Sequence, residues 1–483
     1  MDDNISHLPD DLLLRILSLN TTKEVMATSL LSRRWRSLWT LVPGLKYEDN
    51  DHNGDYKLFT QFVYKYWIMY FDLAVSRHLR QLHIDIRPSK IWPVTLPRSL
   101  YTSETLQRLT LINCVFLDVL VHVRLPSLKT LSLKFVTYAD NTSLQRLLTG
   151  CPNLEILSVE QCFGLWVNLA LSHHVRELHI HIRSSKKRLY TSETLQSLTL
   201  IKCVPLDVPV HVRLLSLKTL SLKFVTYADK ASLQRLLSGC SNLEVLSVEH
   251  RLEDSPMDVT VVLPSLQRLH MSHNKTRGTY VLNLPSLKYL KCSGMTSSNL
   301  LQIENMPELV TAHVIFRGAT HKFLKALTSV RRLKLWITLP EVMNPSGMIF
   351  NQLVHLDFYI FREGWWDLLT CMLQDSPKLR FLKLINKLDK GIFNYRGREI
   401  TTGWKQPSSV PECLLHSLEA FEWFGYKGRH EDREMATYVL KNATCLKTAT
   451  FSPKSKHLGK KYRMPEELAS VATASASCQL LFD

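Results

Sequence analysis

The sequence predicts an α/β solenoid, a stack of many copies of one strand-and-helix unit, and two internal periodicities support this prediction. Residues 101–160 realign without a gap on residues 190–249, and 50 of these 60 positions are identical. A single closed core rarely accepts a second copy of so long a segment. A stack in which each unit contacts only its neighbours accepts it readily.

The shorter periodicity is the pattern L-x-x-L-x-L, whose last two apolar positions alternate with polar ones. Such alternation is typical of a short β-strand with one buried face. Successive clear copies begin 20 to 27 residues apart, which is the length of a leucine-rich repeat. They begin at Leu79, Leu106, Leu128, Leu154, Val175, Leu195, Leu217, Leu243, Leu266, Leu287, Leu309, Val330, Leu353 and Leu379, and weaker copies begin at Leu418 and Leu446.

Short helices are predicted between the strands. In residues 143–155, Leu144, Leu147 and Leu148 have the spacing of one helix face. The repeat also has a position for Asn or Cys in an inner turn, and a structural role in that turn is expected for Cys114, Cys162, Cys203 and Asn274.

Composition and motifs exclude several other classes of protein. No stretch of about 18 uncharged apolar residues is present, so no membrane-spanning helix is expected. The acidic start, Met1-Asp2-Asp3, does not resemble a secretory signal, and an intracellular protein of the cytoplasm, the nucleus or both is expected. The ten cysteines form no C-x-x-C pair, and residues 430–434 have Glu where a zinc-binding H-E-x-x-H has its second His. We therefore expect no metal, no cofactor and no intrinsic catalysis.

The charge balance favours acidic partners. Lys and Arg number 60 against 43 Asp and Glu, a formal net charge of +17. Nucleic-acid binding is one interpretation, but the surplus is spread along the chain and no zinc-finger, RRM or basic-helix pattern occurs. We therefore consider nucleic acid an unlikely partner.

The first 45 residues do not follow the repeat and predict three short helices. Pro9 suits a first helical turn, and a third helix is predicted from Leu30 to Trp39. So small a segment forms a thin core, so part of its apolar surface could dock on another protein. The alternative is an N-terminal cap that shields the first repeat, and the residue pattern leaves both open.

The two ends of the chain resemble known domains. Residues 5–45, with Leu8-Pro9, the run SLLSRRWRSLW and the V-P end, resemble an F-box, although Asn20-Thr21 stand where that family usually has Leu-Pro. Residues 404–423 and 437–451 resemble an FBD domain. An F-box, leucine-rich repeats and an FBD in this order are typical of a large group of plant F-box proteins. The expected division is 1–45 F-box, 46–75 connection, 76–390 repeats, 391–403 loop insertion, 404–455 FBD segment continuing or capping the stack, and 456–483 tail.

This resemblance implies the substrate-recognition subunit of an SCF-type ubiquitin ligase. The F-box would bind a Skp-type adaptor and, through it, cullin and RING subunits. The alternative is an interaction scaffold, or a solenoid for nucleic acid or another acidic partner, without ligase coupling. Trp35 and Trp39 could instead pack the F-box on the first repeats, and we favour this for Trp39. The expected adaptor-binding residues are Leu8, Pro9, Leu13, Ile16, Leu17, Val25, Leu30 and Leu31.

A protein substrate is expected on the concave face of the solenoid, where the residues flanking the buried pair of each strand point. The later strands carry large and basic residues there, and Arg, Trp and Tyr dominate binding energy at interfaces. Such a surface suits an acidic or phosphorylated substrate, and a solvated basic face is the alternative. The predicted substrate-binding residues are Arg268, His270, Lys291, His313, Arg332, Lys334, Trp336, His355, Tyr359 and Lys383.

Overall fold

The chain divides into two compact units, Met1–Asn242 and Leu243–Asp483. The computed structural model describes residues 8–20, 22–28, 31–38, 41–48, 79–86, 94–113, 115–119, 122–140, 142–160, 173–181, 187–188, 191–202, 205–250, 259–272, 278–296, 299–317, 321–338, 348–360, 365–386, 404, 406–453 and 468–482. The following predictions lie outside the described residues: Leu30, Trp39, Cys114, Cys162, Cys203, Asn274, the loop 391–403 and most of the connection 46–75.

The first unit begins with three helical segments, α1 (Asp10–Leu17), α2 (Thr22–Ala27) and α3 (Trp35–Leu38). Pro9 stands directly before α1, where the absence of its N–H removes no helical hydrogen bond. The third helix begins at Trp35, later than predicted, and the preceding Arg34 lies in a turn and bonds back to Leu8 and Asp10. The helices share a small core of Leu13, Leu17, Val25, Trp35, Leu38 and Val42.

Parallel strands make up most of the rest of this unit. Each main strand pairs with the next in the order β1-β2-β4-β6-β8-β9-β11-β13, and shorter strands form the separate sheets β3-β5-β7 and β10-β12. The bounds are β1 (Gly44–Glu48), β2 (Gln81–Ile86), β3 (Val94–Thr95), β4 (Arg108–Asn113), β5 (Val115–Leu117), β6 (Thr130–Lys134), β7 (Thr137–Tyr138), β8 (Ile156–Glu160), β9 (Glu177–His181), β10 (Lys187–Arg188), β11 (Ser197–Ile201), β12 (Leu206–Asp207) and β13 (Thr219–Lys223), with a 3-10 helix (Arg98–Thr102) and the helices α4 (Ser143–Thr149) and α5 (Ser232–Ser238).

The two copies of the duplicated segment fold alike. In the second copy, Arg235 donates from Nη2 to Asp229 at 2.6 Å, and Arg146 pairs with Asp140 in the first. Each helix is followed by a glycine, and a Cβ on Gly239 would lie 2.6 Å from the carbonyl oxygen of Val212. The close approach of neighbouring repeats therefore requires glycine at this position.

The second unit continues the same pattern. Its main strands pair in parallel in the order β14-β16-β18-β20-β21-β22-β23-β24-β25-β26, and β15-β17-β19 form a second sheet. The bounds are β14 (Val245–Glu249), β15 (Val259–Val262), β16 (Arg268–Ser272), β17 (Gly278–Asn283), β18 (Tyr289–Thr296), β19 (Asn299–Asn305), β20 (Thr311–Arg317), β21 (Arg332–Thr338), β22 (His355–Tyr359), β23 (Phe381–Ile385), β24 (Ala420–Tyr426), β25 (Thr448–Pro453) and β26 (Gln479–Phe482), with helices α6 (His321–Lys325), α7 (Trp365–Gln374), α8 (Glu412–His416) and α9 (His430–Asn442).

Every L-x-x-L-x-L copy coincides with a main strand, which begins two residues after the first apolar position. The second and fourth residues of these strands are mostly buried, and the first, third and fifth are mostly half-buried, as in β11 and β23. This alternation confirms the predicted strands. It also fixes which side chains lie in the core of each unit and which lie on the surface.

Candidate functional site

An apolar surface on the N-terminal helices is the first candidate. Leu12, Ile16 and Leu19 recur at the spacing of one helix face on and just after α1, and they are 44%, 45% and 87% exposed. The opposite face of α1 is already used, since Leu13 and Leu17 are buried. Apolar side chains that leave the core in a row are typical of a protein-binding surface. We call this the front surface, and it consists of Leu12, Ile16 and Leu19. Leu31 and Leu41 are two further exposed leucines of the N-terminal segment.

Polar contacts hold the front surface in place. Arg34 donates from Nε to Oδ1 of Asp10 at 3.0 Å and from Nη2 to the carbonyl oxygen of Leu8 at 2.7 Å. At the other end of α1, the side chain of Asn20 donates to the carbonyl oxygen of Ile16 at 3.0 Å. Asn20 thus adds a second hydrogen bond to a carbonyl of the last helical turn that already accepts from the N–H of Leu19, in the place where the resembling family has an apolar residue.

The structure divides the predicted adaptor-binding residues into two groups. Leu13, Leu17 and Val25 are buried in the helical core, and Leu8 is partly buried against it. These four side chains therefore stabilise the helices that carry the front surface. Pro9, Ile16 and Leu31 are exposed. Leu12, Leu19 and Leu41 are not among the predicted adaptor-binding residues, because helical spacing alone does not show which of two adjacent apolar faces is covered.

A second candidate lies on the main sheet of the second unit. Strand register places side chains of successive strands side by side in rows. We call this surface the ladder face, and it is formed by the first, third and fifth residues of β16, β18, β20, β21, β22 and β23. All ten predicted substrate-binding residues lie on it. The row of third residues is His270, Lys291, His313, Lys334, Asp357 and Lys383.

The cations at one end of the ladder face are paired with carboxylates. Asp357, whose side chain is only 5% exposed, lies 2.9 Å from Nζ of Lys334 and 2.8 Å from Nε2 of His355. Burial raises the pKa of Asp357, but the hydrogen bonds from His355 and Lys334 outweigh it, and the pKa lies below its ordinary value. Lys383 is paired in the same way, with Nζ 2.5 Å from Glu422 of β24.

Three cations of the ladder face, Arg268 on β16, Lys291 on β18 and Arg332 on β21, have no carboxylate partner among the described residues. The guanidinium of Arg268 lies 4.5 Å from the ring centre of Tyr289, a cation–π contact. Within the part of the chain that the structure describes, neither Lys291 nor Arg332 lies within ion-pair distance of a carboxylate. The basic surface predicted from the sequence is therefore uneven, since Asp357 and Glu422, which the site prediction did not include, neutralise one end.

The pKa of His313 reflects the positive charge of the lysines beside it. Burial and the charges of Lys291 and Lys334 lower its pKa to about 4, so the imidazole is neutral at pH 7. Its Nε2 atom is buried and makes no hydrogen bond. Aromatic rings lie nearby on the same face: Trp336 contacts Tyr359 at 6.4 Å between ring centres, and His355 stacks on Phe381 at 4.1 Å.

Metal and membrane sites do not appear in the parts of the chain that are described. Across these residues, no three His, Cys, Asp or Glu side chains lie together as metal ligands would. His430 of the H-E-x-x-E sequence pairs with Glu434 at 3.4 Å, as residues one helical turn apart do. Among the helices described, none combines the length and the apolar character that a membrane span needs.

Comparisons with known proteins identify domains at both ends of the chain and repeats between them. The F-box domain family matches residues 5–47, and the FBD family matches residues 406–451. Between them, the LRR repeats of the FBD-associated F-box protein At5g56370 match residues 69–188, and the Leucine Rich Repeat family matches residues 216–241. The F-box/FBD/LRR-repeat protein At4g26340 of Arabidopsis thaliana is 49% identical over 493 residues, and the alignment covers 100% of both chains. This chain belongs to the plant F-box/FBD/LRR-repeat family.

Other members of the F-box/FBD/LRR-repeat family align over nearly the same length. The putative F-box/FBD/LRR-repeat protein At4g26350 is 38% identical, with 100% of this chain and 99% of the relative covered. The F-box/FBD/LRR-repeat protein At3g52680 is 35% identical, with 99% and 93% covered. Both come from Arabidopsis thaliana. These relatives confirm the resemblance seen in the sequence. An F-box implies a Skp-type adaptor as partner, and leucine-rich repeats imply protein binding.

Proposed function

We propose that this protein is the substrate-recognition subunit of an SCF-type E3 ubiquitin ligase. The front surface binds a Skp-type adaptor, which connects the protein to cullin and RING subunits, and the ladder face binds the protein substrate. The observation that supports this most directly is the exposed row Leu12, Ile16 and Leu19 on a helix whose other face is already packed. Such a row offers exposed apolar area that a partner chain can bury.

The proposed role requires no chemistry from this chain. A receptor that holds a substrate beside a charged ubiquitin-conjugating enzyme raises the effective concentration of a substrate lysine there. Four buried cysteines are consistent with a structural use, since burial raises the pKa of Cys151, Cys240, Cys292 and Cys413 to about 12. Free thiols of this kind suit an intracellular protein of the cytoplasm, the nucleus or both.

We further propose that the parallel stacks are leucine-rich-repeat solenoids and that the three N-terminal helices form the F-box. The FBD segment would continue the stack, and the pairing of β24 with β23 and of β25 with β24 supports this. The face opposite the buried strand positions would then be the concave face of the solenoid.

Co-expression of the full chain with a Skp-type adaptor tests the ligase assignment. We expect the wild-type pair to co-purify and the double variant Leu12→Ser/Ile16→Ser to lose the adaptor, because it removes apolar area from the centre of the front surface. Val210→Ser is the matched control, since Val210 is an apolar side chain of the same unit that is 74% exposed. A wild-type chain that binds no Skp-type adaptor would contradict the proposal.

The second candidate function is a scaffold or a binder of nucleic acid or another acidic partner, without ligase coupling. The net charge of +17 favours it. The dependence of binding on salt concentration distinguishes the two functions. Binding to nucleic acid weakens steeply as ionic strength rises, because bound counterions are released, whereas docking through leucines changes little. Retention of the adaptor in high salt would support the ligase assignment.

A further inference from the structure

We propose that the ladder face recognises an acidic, extended segment of its partner protein through three basic side chains. These are Arg268 on β16, Lys291 on β18 and Arg332 on β21, which we call the basic strip. The proposal rests on the proposed function of the ladder face as the substrate-binding surface, and it names the chemical class of the substrate.

The lysines and arginines of the ladder face differ in whether a carboxylate compensates their charge. Lys334 and Lys383 have carboxylate partners at 2.9 Å and 2.5 Å, so their charge is largely compensated within the protein. Among the described residues, Lys291 and Arg332 have no such partner. Like charges held close together on one sheet repel one another, and a ligand carrying negative charge relieves this repulsion. The unpaired positive charge of the ladder face therefore lies on β16, on β18 and at the first residue of β21, and these positions complement an anion.

Geometry defines how the anionic groups should be spaced. Arg268 and Tyr289 are register partners on adjacent strands, and Lys291 lies two residues beyond Tyr289. With strands ~4.8 Å apart and ~3.3 Å per residue, Arg268 and Lys291 are roughly 8 Å apart at their Cα atoms, and Lys291 and Arg332 roughly 12 Å. In an extended peptide, side chains on one side recur about every 6.7 Å. Acidic residues two to four positions apart in such a peptide would match the strip.

Neighbouring side chains restrict Arg268 of the basic strip and leave space between its cations. The ring of Tyr289 lies 4.5 Å from the guanidinium of Arg268, which restricts a side chain that is otherwise costly to order. Thr311, a smaller residue, is the register partner of both Tyr289 and Arg332. His313 lies beside Lys291 and Lys334 in the next row and is held neutral there. A site with one ordered guanidinium, two further cations and a smaller residue between them can accept carboxylate or phosphate groups.

Nucleic acid fits the strip less well than an acidic peptide. Affinity for nucleic acid grows with the number of phosphates that are neutralised, and three cations on a short stretch neutralise few. A peptide with acidic residues two to four positions apart needs only these three. The aromatic pair Trp336 and Tyr359 on the same face can contact the apolar side chains between the acidic positions.

Fluorescent peptides of about twelve residues, long enough to cross four strands, test the proposal on the full chain. Three peptides share one sequence and differ only at three positions spaced three residues apart: Glu, phosphoserine or Gln. A single-stranded oligothymidylate is the fourth probe. We expect the Glu or the phosphoserine peptide, or both, to bind at least tenfold more tightly than the Gln peptide, because charge-assisted contacts are lost in the latter. Which of the two binds more tightly distinguishes a carboxylate source from a phosphate source.

The double variant Lys291→Gln/Arg332→Gln should weaken binding of the anionic peptides by about tenfold, because two such contacts are removed. Lys325→Gln/Lys378→Gln is the matched control: it removes the same charge from exposed residues outside the ladder strands and should leave binding unchanged. Equal binding of all peptides, equal effects of the two double variants, or tighter binding of the oligothymidylate through Lys291 and Arg332 would each overturn the proposal. Adaptor co-purification is measured on the same variants, so a chain that binds acidic peptides but no adaptor would contradict the proposed function alone.

Discussion

The N-terminal helices and the stacked strands of the second unit place their apolar residues in different ways. In α1, Leu12 is 44% exposed and the adjacent Leu13 is fully buried, so the binding surface and the core share one short helix. In most of the main strands, as in β23, buried and half-buried side chains alternate, so core positions and surface positions are separated along the strand. The stack can therefore change its surface without changing its core, whereas the helices have little room to do so.

The largest expected effect tests this separation inside the stack. Trp423 on β24 is 1% exposed and packs edge-on against Trp365 and Tyr426, with ring centres 5.8 Å and 5.1 Å away. Trp423→Ala should lower the free energy of unfolding by about 3–5 kcal/mol, because it leaves a large cavity. The neighbouring Phe424 is 44% exposed, and Phe424→Ala should cost less than about 1 kcal/mol.

Chemical denaturation of both variants measures the difference. Similar losses for Trp423→Ala and Phe424→Ala would show that the alternation does not separate core from surface in the FBD segment.

The same comparison within α1 should give a smaller loss of stability. Leu13→Ala should destabilise the helical segment by about 2–4 kcal/mol, because Leu13 is buried in its core. Leu12→Ala on the exposed face should leave stability within about 0.5 kcal/mol and still weaken adaptor binding if the front surface is the docking site.

Hydrogen exchange of the helix amides reports local stability, and co-purification reports adaptor binding. If Leu12→Ala unfolds the helices as strongly as Leu13→Ala, the proposed distinction between surface and core in α1 is wrong.

The smallest expected effect concerns the paired end of the ladder face. The pKa of Asp357 lies below its ordinary value, so its ionised form stabilises the folded chain at pH values above the pKa of an unfolded Asp, ~3.9, and this contribution disappears as pH falls below that value. Asp357→Asn should therefore cost about 1.5–3 kcal/mol at pH 7, because hydrogen bonds to a charged group are lost. The cost should shrink below about pH 4.

Denaturation from pH 3 to pH 7 tests this sign. Asp85, a half-buried aspartate on β2 in the first unit, provides the control variant Asp85→Asn. A loss of stability in Asp357→Asn that is constant over this range would show that the pairing with Lys334 and His355 does not depend on the charge of Asp357.

Local patterns accounted for most of the fold. The main strands begin where L-x-x-L-x-L predicts them, because alternation within one strand needs no information from elsewhere in the chain. Pairing between distant residues was not predictable in the same way. Lys383 meets Glu422 across 39 residues of sequence, and their register depends on how the segment between β23 and β24 returns to the sheet. The accessible apolar face of α1 was predicted only in part, through Ile16, for a related reason: what covers the other face is decided by α2 and α3.

The amino-acid sequence alone determined the repeat period, the family and the set of side chains that line the ladder face, since each follows from spacing along the chain. The tertiary structure decided which of those side chains keep their charge and which leucines of α1 remain accessible to a partner. Charge pairing and burial depend on distances between segments far apart in sequence, and only the packed chain brings such segments together.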